Sequence, residues 1–126
     1  MDDNFKLMQE TMESADEYID RVHSTVGNMV YNLQGGREDK AISVCADLFE
    51  GIKWLLECFR LTLPLQETKE TIVSASDINP VTVQLEEALG NKDYVLLGDL
   101  LEYELLPVME GWKKQIGLIL GRNVGD

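Results

Sequence analysis

The sequence has few of the residues on which metal sites and active sites depend. Its 126 residues include one histidine and two cysteines. A di-iron bundle requires two Glu-x-x-His pairs and two further glutamates, so His23 can complete only half of such a site. No GxxxxGK[ST] phosphate loop is present, and no serine or threonine stands in a nucleophile motif with a histidine partner. We therefore expect a protein that is not an enzyme and that uses no cofactor and no metal.

Positive charge and long apolar runs are also scarce. The chain carries 11 Lys and Arg against 23 Asp and Glu, a formal net charge of −12, and this charge repels phosphate backbones and anionic lipid headgroups. Apolar runs such as residues 94–97 and 118–120 are no longer than four residues, far short of the ~20 residues of a membrane-spanning helix. Since no secretory signal follows the acidic residues 1–4, we expect a cytoplasmic protein that binds neither nucleic acid nor membranes.

The clearest signal that is present is helical periodicity over residues 5–33. Apolar residues recur there at alternating spacings of three and four, which is typical of a packed helix. Gly35 and Gly36 end the pattern, so we predict a helix over about residues 4–34. Its apolar seam consists of Phe5, Met8, Met12, Ala15, Ile19, Val22, Val26, Met29 and Leu33.

A second seam of the same spacing predicts a helix over residues 37–63. Pro64 should end or kink this helix, because the residue before a proline disfavours helical geometry. Residues 65–78 are polar and rich in Thr and Ser, which predicts a linker with room for a helical turn. The second seam consists of Ile42, Cys45, Phe49, Ile52, Leu56, Phe59 and Leu63.

The two cysteines, Cys45 and Cys58, lie 13 residues apart in this second helix. At about 1.5 Å of rise per residue they are separated by about 20 Å, which is beyond the reach of a disulfide. We expect both to be free, buried thiols.

A short third helix is predicted over residues 80–89. Asn79 can serve as its N-cap and Pro80 as its first residue, while Ile78 can pack onto Val83 across the helix start.

The fourth predicted helix covers residues 92–120, with Asn91 as its cap. Pro107 should bend it, because proline removes one backbone donor and leaves the carbonyl of Tyr103 free. Together the four helices predict one all-α domain over residues 1–126. We expect an antiparallel up-down bundle of three long helices and one short helix.

Two titratable side chains offer a chemical alternative to a purely structural protein. Glu104 lies at the edge of the apolar face one turn before Pro107, and a partly buried glutamate there could act as an acid or base. His23 lies one turn from Asp20 and could share a proton or half of a metal site with it, although a solvated surface histidine explains it more simply. A small metal-binding or enzymatic bundle that uses Glu104 or His23 is therefore the alternative class of function.

A third apolar feature does not belong to either seam. Trp54, Leu61 and Leu65 recur at spacings of seven and four on the face of the second helix opposite Ile52, among acidic neighbours. Either this helix is central and the linker or third helix covers these side chains, or they form an exposed groove with an acidic rim. In the second case they form a site for a partner protein, because large exposed apolar patches mark interaction surfaces.

Residues 90–107, GNKDYVLLGDLLEYELLP, resemble a segment of small uncharacterised helical proteins of Gram-positive and related anaerobic bacteria. The resemblance implies a bacterial, cytosolic, all-helical protein and no particular chemistry. Weaker similarity in pattern links the chain to the flagellin export chaperones, bundles that hold an extended partner tail along hydrophobic grooves. That similarity covers the helix after the Gly-Gly turn and the late helix that follows Asn-Lys-Asp and reaches Trp112. The Tyr-rich middle helix of those chaperones has no counterpart here.

These observations favour a non-enzymatic helical bundle that binds another protein or associates with itself. The first seam spans 29 residues, about 43 Å at 1.5 Å per residue, and it is seven residues longer than the second. The excess could pair with a second copy, so a homodimer stays open. An export chaperone or adaptor is the sharper version of the same expectation.

Overall fold

The computed structural model of the chain describes residues 3–122, and most of these are helical. No strand occurs in that range, so the predicted all-α class is confirmed. In chain order the elements are α1 (Asp3–Gln34), α2 (Glu38–Ile42), α3 (Cys45–Leu61), α4 (Leu63–Thr68), α5 (Ile78–Gly90), α6 (Tyr94–Leu100), a π-helical turn (Leu101–Leu105) and α7 (Leu106–Ile119). No helix within residues 3–122 combines the length and the apolarity that crossing a membrane requires.

The long helix α1 is the centre of the packing. It contacts α2, α3, α6 and α7, and the buried side chains on it follow the predicted seam from Met12 to Met29. The start of the seam lies outside the core, because Phe5 is exposed and Met8 only half-buried. On the opposite side of the core, Trp112 of α7 packs edge-on against Phe59 of α3, with 5.1 Å between the ring centroids.

Helices α1 and α7 run in opposite directions. Lys113 Nζ lies 2.9 Å from an oxygen of Asp16, whereas Glu110, earlier in α7, lies 3.1 Å from His23, later in α1.

The ion pair between Lys113 and Asp16 involves a buried carboxylate, since Asp16 is almost fully enclosed. Arg122 donates a second hydrogen bond to the same carboxylate, so both oxygens of Asp16 have a cationic partner.

The predicted single helix over 37–63 is wrong as a continuous element, since it is interrupted after Ile42 and again at Thr62. The Ser43 hydroxyl donates to the Lys40 carbonyl at 2.9 Å, and the Thr62 hydroxyl donates to the Cys58 carbonyl at 2.7 Å. Such side-chain bonds to the preceding turn compete with the helical ladder. Pro64 then stands in the first turn of α4, where a missing N–H is tolerated.

The predicted linker over 65–78 is correspondingly too long. Helix α4 continues to Thr68, and the irregular segment is residues 69–77, which we call the strap. Gln66 is buried in α4 and fixes one end of the strap: its Nε2 donates to the Phe59 carbonyl at 2.7 Å, and its Oε1 accepts from the Val73 N–H at 2.9 Å.

The other anchor of the strap is α7. The indole N–H of Trp112 donates to the Ser74 carbonyl at 2.9 Å. The side chain of Gln115 donates to the Ile72 carbonyl at 3.1 Å and accepts from the Ser74 N–H at 3.4 Å. Three side chains from two helices therefore satisfy the backbone of a segment that has no secondary structure of its own.

The starts of α5 and α6 differ from the predicted caps. Helix α5 begins at Ile78, two residues early, because Pro80 still lies within the first turn, whose N–H groups have no helical partner anyway. Ile78, the first residue of α5, is fully buried, whereas Val83 is half exposed. Helix α6 is capped by Asp93 rather than Asn91, since the Asp93 carboxylate accepts from the Leu96 N–H at 3.1 Å.

The predicted fourth helix is interrupted by the π-helical turn directly before Pro107. The buried residues Leu97, Leu101, Leu105 and Met109 follow one another at intervals of four. In an α-helix each such step overshoots a full turn by about 40°, so the row would drift away from the core. The wider π-turn, with the Leu106 N–H bonded to the Leu101 carbonyl, keeps the four in line.

Candidate functional site

The three predicted partner-binding residues do not share one surface. Trp54 is 43% exposed and Leu61 53% exposed, whereas Leu65 is only 4% exposed and belongs to the core. The expectation for Leu65 is wrong because the break at Thr62 ends α3, so the spacing that joins Leu61 to Leu65 does not continue along one helix face. Trp54 and Leu61 remain as neighbours two helical turns apart on the exposed side of α3.

Trp54 has an aromatic partner on α1 that the sequence analysis did not identify. The rings of Tyr18 and Trp54 meet edge to face, with centroids 4.9 Å apart and planes at 69°. Tyr18 adjoins Ile19 of the first seam, and nothing in a single helix pattern shows which residue of another helix it will face. The pairing depends on the register between α1 and α3, which only the tertiary structure supplies.

Gly51 makes this contact possible. It is buried on α3, and a Cβ placed there would lie 2.7 Å from the hydroxyl oxygen of Tyr18. Because contacts below 3.0 Å between such atoms essentially never occur, any side chain at position 51 would displace the tyrosine. The missing side chain of Gly51 therefore lets the Tyr18 ring lie across α3, next to Trp54.

Tyr18 and Trp54 form the floor of an open groove of about 610 Å³ between the two helices. The guanidinium of Arg21 lies 5.7 Å from the centre of the Tyr18 ring, which is within cation–π range. The lining residues are Ser14, Glu17, Tyr18, Arg21, Glu50 and Trp54. We refer to this feature, together with the neighbouring Leu61, as the α1–α3 groove.

Exposed apolar side chains extend beyond the groove on α1. Leu7 is largely exposed. It precedes Tyr18 by 11 residues and Arg21 by 14, which are close to whole numbers of helical turns, so it lies on the same face of α1. The aromatic floor is therefore part of a longer surface with exposed apolar groups on both helices.

His23 and Glu104, the two candidates for chemistry, do not come together. His23 Nε2 lies 3.1 Å from Glu110 Oε2, and both side chains are substantially exposed. Asp20, one turn before His23, accepts a hydrogen bond from Lys113 at 2.9 Å. Among residues 3–122 no group of three or more His, Cys, Asp or Glu side chains is arranged to hold a metal ion.

Glu104 is exposed, which removes the partial burial on which the alternative of an acid or base at this position depended. The π-turn is the reason, since it directs Leu105 into the core and leaves Glu104 on the outside. Its neighbour Tyr103 is exposed as well, and the negative charge of Glu102 raises the pKa of the Tyr103 hydroxyl.

The cysteines have no features of reactive thiols. Both are free and buried, as expected. Burial raises the pKa of the Cys58 thiol to about 11 and also raises the pKa of Cys45. Because the thiolate is the reactive form, both sulfurs are poor nucleophiles at neutral pH.

No curated protein and no solved structure matches the chain. A family model described as a domain of unknown function (DUF8042) matches residues 10–115. The match spans the α1–α3 groove, the strap, the π-turn and most of α7. It confirms the expectation, first suggested by residues 90–107, of an uncharacterised all-helical family. The chain belongs to the DUF8042 family.

Proposed function

We propose that this protein is a non-enzymatic helical bundle that binds another protein through the α1–α3 groove. The observation that carries the proposal is Trp54, which leaves 43% of its surface in solvent while it packs on Tyr18 and stands two turns from the exposed Leu61. Tryptophan and tyrosine dominate the energetics of protein interfaces because each contributes a large, rigid area. A bundle of three long helical segments and one short one, packed up and down, would provide a rigid frame for such a site.

Self-association is the alternative occupant of the same surface. Leu7 and Phe5 are exposed near the start of α1, where the first apolar seam extends beyond the buried core. A second copy that packed along this end would bury these side chains. We do not extend the proposal to Glu104 or His23, because the exposed Glu104 and the exposed pairing of His23 with Glu110 give neither a specific chemical role.

Affinity capture with matched variants tests the proposal. The tagged protein, Trp54→Ala and Val95→Ala would each be incubated with a lysate of the source organism, and retained proteins would be identified by mass spectrometry. Val95 is a suitable control because it is an apolar residue of α6 that is 80% exposed and lies outside the groove. We expect a partner that the wild type and Val95→Ala retain and that Trp54→Ala loses, with melting curves showing that all three are folded.

Sedimentation velocity on the same three proteins distinguishes a partner protein from a second copy of the chain as the molecule that binds the groove. A dimer that Trp54→Ala alone converts to a monomer assigns the groove to a second copy. A partner that all three variants retain equally contradicts the groove as the binding site.

A further inference from the structure

We propose, building on the function above, that the groove takes a basic helical segment, with a Lys or Arg side chain over Trp54 and an apolar side chain on Leu61. The charge of the surroundings is the first argument. Residues 3–21 and 45–61, which contain the groove, carry seven carboxylates against four cationic side chains, leaving out Asp16 and Asp20, which pair with Lys113 of α7. The whole chain has a net charge of −12, so a second copy would approach this face against strong repulsion, whereas a basic segment would be attracted.

The aromatic floor supplies the second argument. Arg21 already lies over Tyr18 at 5.7 Å, and Arg37 lies over Tyr31 at 4.8 Å. Within residues 3–122 no cation of the chain lies over the ring of Trp54, although tryptophan is the best of the three aromatic residues at holding one. The exposed part of Trp54 therefore offers a cation–π position that a partner can fill.

Carboxylates stand beside that position. Glu17 and Glu50 line the groove together with Trp54. Glu17 has no ion-pair partner among the described residues, and Glu50 has only Lys53, 3.7 Å away, with both side chains largely in solvent. An exposed pair of this kind is weak and easily exchanged for another partner. Both carboxylates are thus available to the charge of an incoming Lys or Arg.

The spacing along α3 indicates a helical partner. Trp54 and Leu61 are seven residues apart, about 10 Å along the axis. A partner helix that lies along the groove presents side chains at the same interval of seven residues, one for each position. A cationic residue and an apolar residue seven positions apart are therefore the expected recognition pattern.

Two synthetic helices test this inference directly. Both would be about 18 residues long, free of tryptophan, and alike in their leucine positions; one would carry lysine at every polar position and the other glutamate. Binding would be measured by isothermal titration and by tryptophan emission. The emission reports on the groove because Trp112 is only 1% exposed and Trp54 is the accessible indole. We expect the lysine helix to bind, to shift the Trp54 emission and to weaken as salt is added, while the glutamate helix does not bind.

Two double variants separate a local effect from the general charge of the protein. Glu17→Gln with Glu50→Gln removes two charges from the groove. Glu86→Gln with Glu87→Gln removes two from the exposed surface of α5, which packs mainly on α6 and the π-turn. We expect the first to weaken binding of the lysine helix about tenfold, since two exposed charge contacts are together worth about 1.4 kcal/mol. The second should leave binding within twofold.

Equal binding of the two helices, or equal loss in the two double variants, would overturn the inference. So would failure of the lysine helix to bind. If the captured partner still depends on Trp54 in that case, protein binding by the groove stands and only the basic character of the partner is refuted. If the capture is also independent of Trp54, the proposed function fails with it.

Discussion

At the scale of single residues, Gly51 controls how closely α3 approaches Tyr18. Its missing side chain leaves room for the tyrosine hydroxyl, and the tyrosine in turn supports Trp54. Glycine inside a helix lowers stability by about 0.5–1 kcal/mol relative to alanine. This position therefore combines a small loss of helix stability with a defined groove geometry.

Gly51→Ala separates these two effects. We expect the free energy of unfolding to stay equal or to rise by up to about 1 kcal/mol, because alanine favours the helix and the displaced atom is the end of a side chain. The emission of Trp54 and the near-UV circular dichroism should change, because Tyr18 has to move away from the indole. Denaturant unfolding and the two spectra measure both outcomes.

Gly27→Ala is the matched control. Gly27 lies inside α1, and an added Cβ there meets nothing within 4 Å. It should gain the same helix stability without altering the aromatic spectra. Unchanged spectra in Gly51→Ala would contradict the role assigned to this glycine.

At the scale of elements, the π-turn and the strap decide the shape of the second half of the chain. The π-turn accommodates one residue more than an α-helix would need between Leu101 and Leu105. Residues 69–71 of the strap still bond to the backbone of α4, whereas the part from Ile72 to Ser74 depends on the side chains of Gln66, Trp112 and Gln115. Each element is therefore sensitive to a small and specific change.

Deleting Glu104 should be tolerated, although deletions inside helices usually are not. After the deletion, Leu101 and Leu105 are three positions apart, and Leu105 and Met109 stay four apart. A regular α-helix keeps side chains at these spacings on one face. We expect a folded variant whose melting temperature lies within a few degrees of the wild type. Deleting Glu110, an exposed residue of α7, should instead unfold the protein, because it leaves Met109 and Trp112 two residues apart. Circular dichroism melts distinguish the two variants.

Gln66→Ala should release the strap. It removes the partner of the buried Val73 N–H and the bond to the Phe59 carbonyl, and leaving such a group unsatisfied costs about 1–3 kcal/mol. Trypsin should then cut after the exposed Lys69 faster than in the wild type. Gln84→Ala, on the exposed face of α5, is the control and should leave both stability and cleavage unchanged. A Gln66→Ala variant as resistant as the wild type would show that α7 alone holds the strap.

At the scale of the whole molecule, the charge of −12 acts on stability as well as on partners. Repulsion among excess carboxylates opposes the compact state, and salt screens it. We expect the melting temperature at pH 7 to rise by a few degrees between low and about 0.5 M NaCl. The Glu86→Gln and Glu87→Gln double variant should show a smaller rise. A melting temperature that falls with salt would indicate that the ion pairs around Asp16 outweigh the repulsion.

The sequence predicted the all-α class and the core face of α1, because these depend on periodicity within one helix. Met12, Ile19 and Val26 are buried as the seam requires. Leu65 and Glu104 could not be placed correctly, because the break at Thr62 and the π-turn change the helical phase without an unambiguous local signal. The contact between Tyr18 and Trp54 depends on the register between α1 and α3. The apolar pattern of either helix alone therefore does not predict it.

The anchoring of the strap also bears on how the protein is made. Ser74 is held by Trp112 and Gln115, which follow it by 38 and 41 residues. During synthesis from the amino terminus, Ser74 leaves the ribosome before Trp112 and Gln115 do. Gln66 can already hold Val73 at that stage, but the backbone around Ser74 stays accessible to proteases and chaperones until α7 has emerged. Nascent chains whose α7 is still inside the ribosome should therefore be the vulnerable form of this protein.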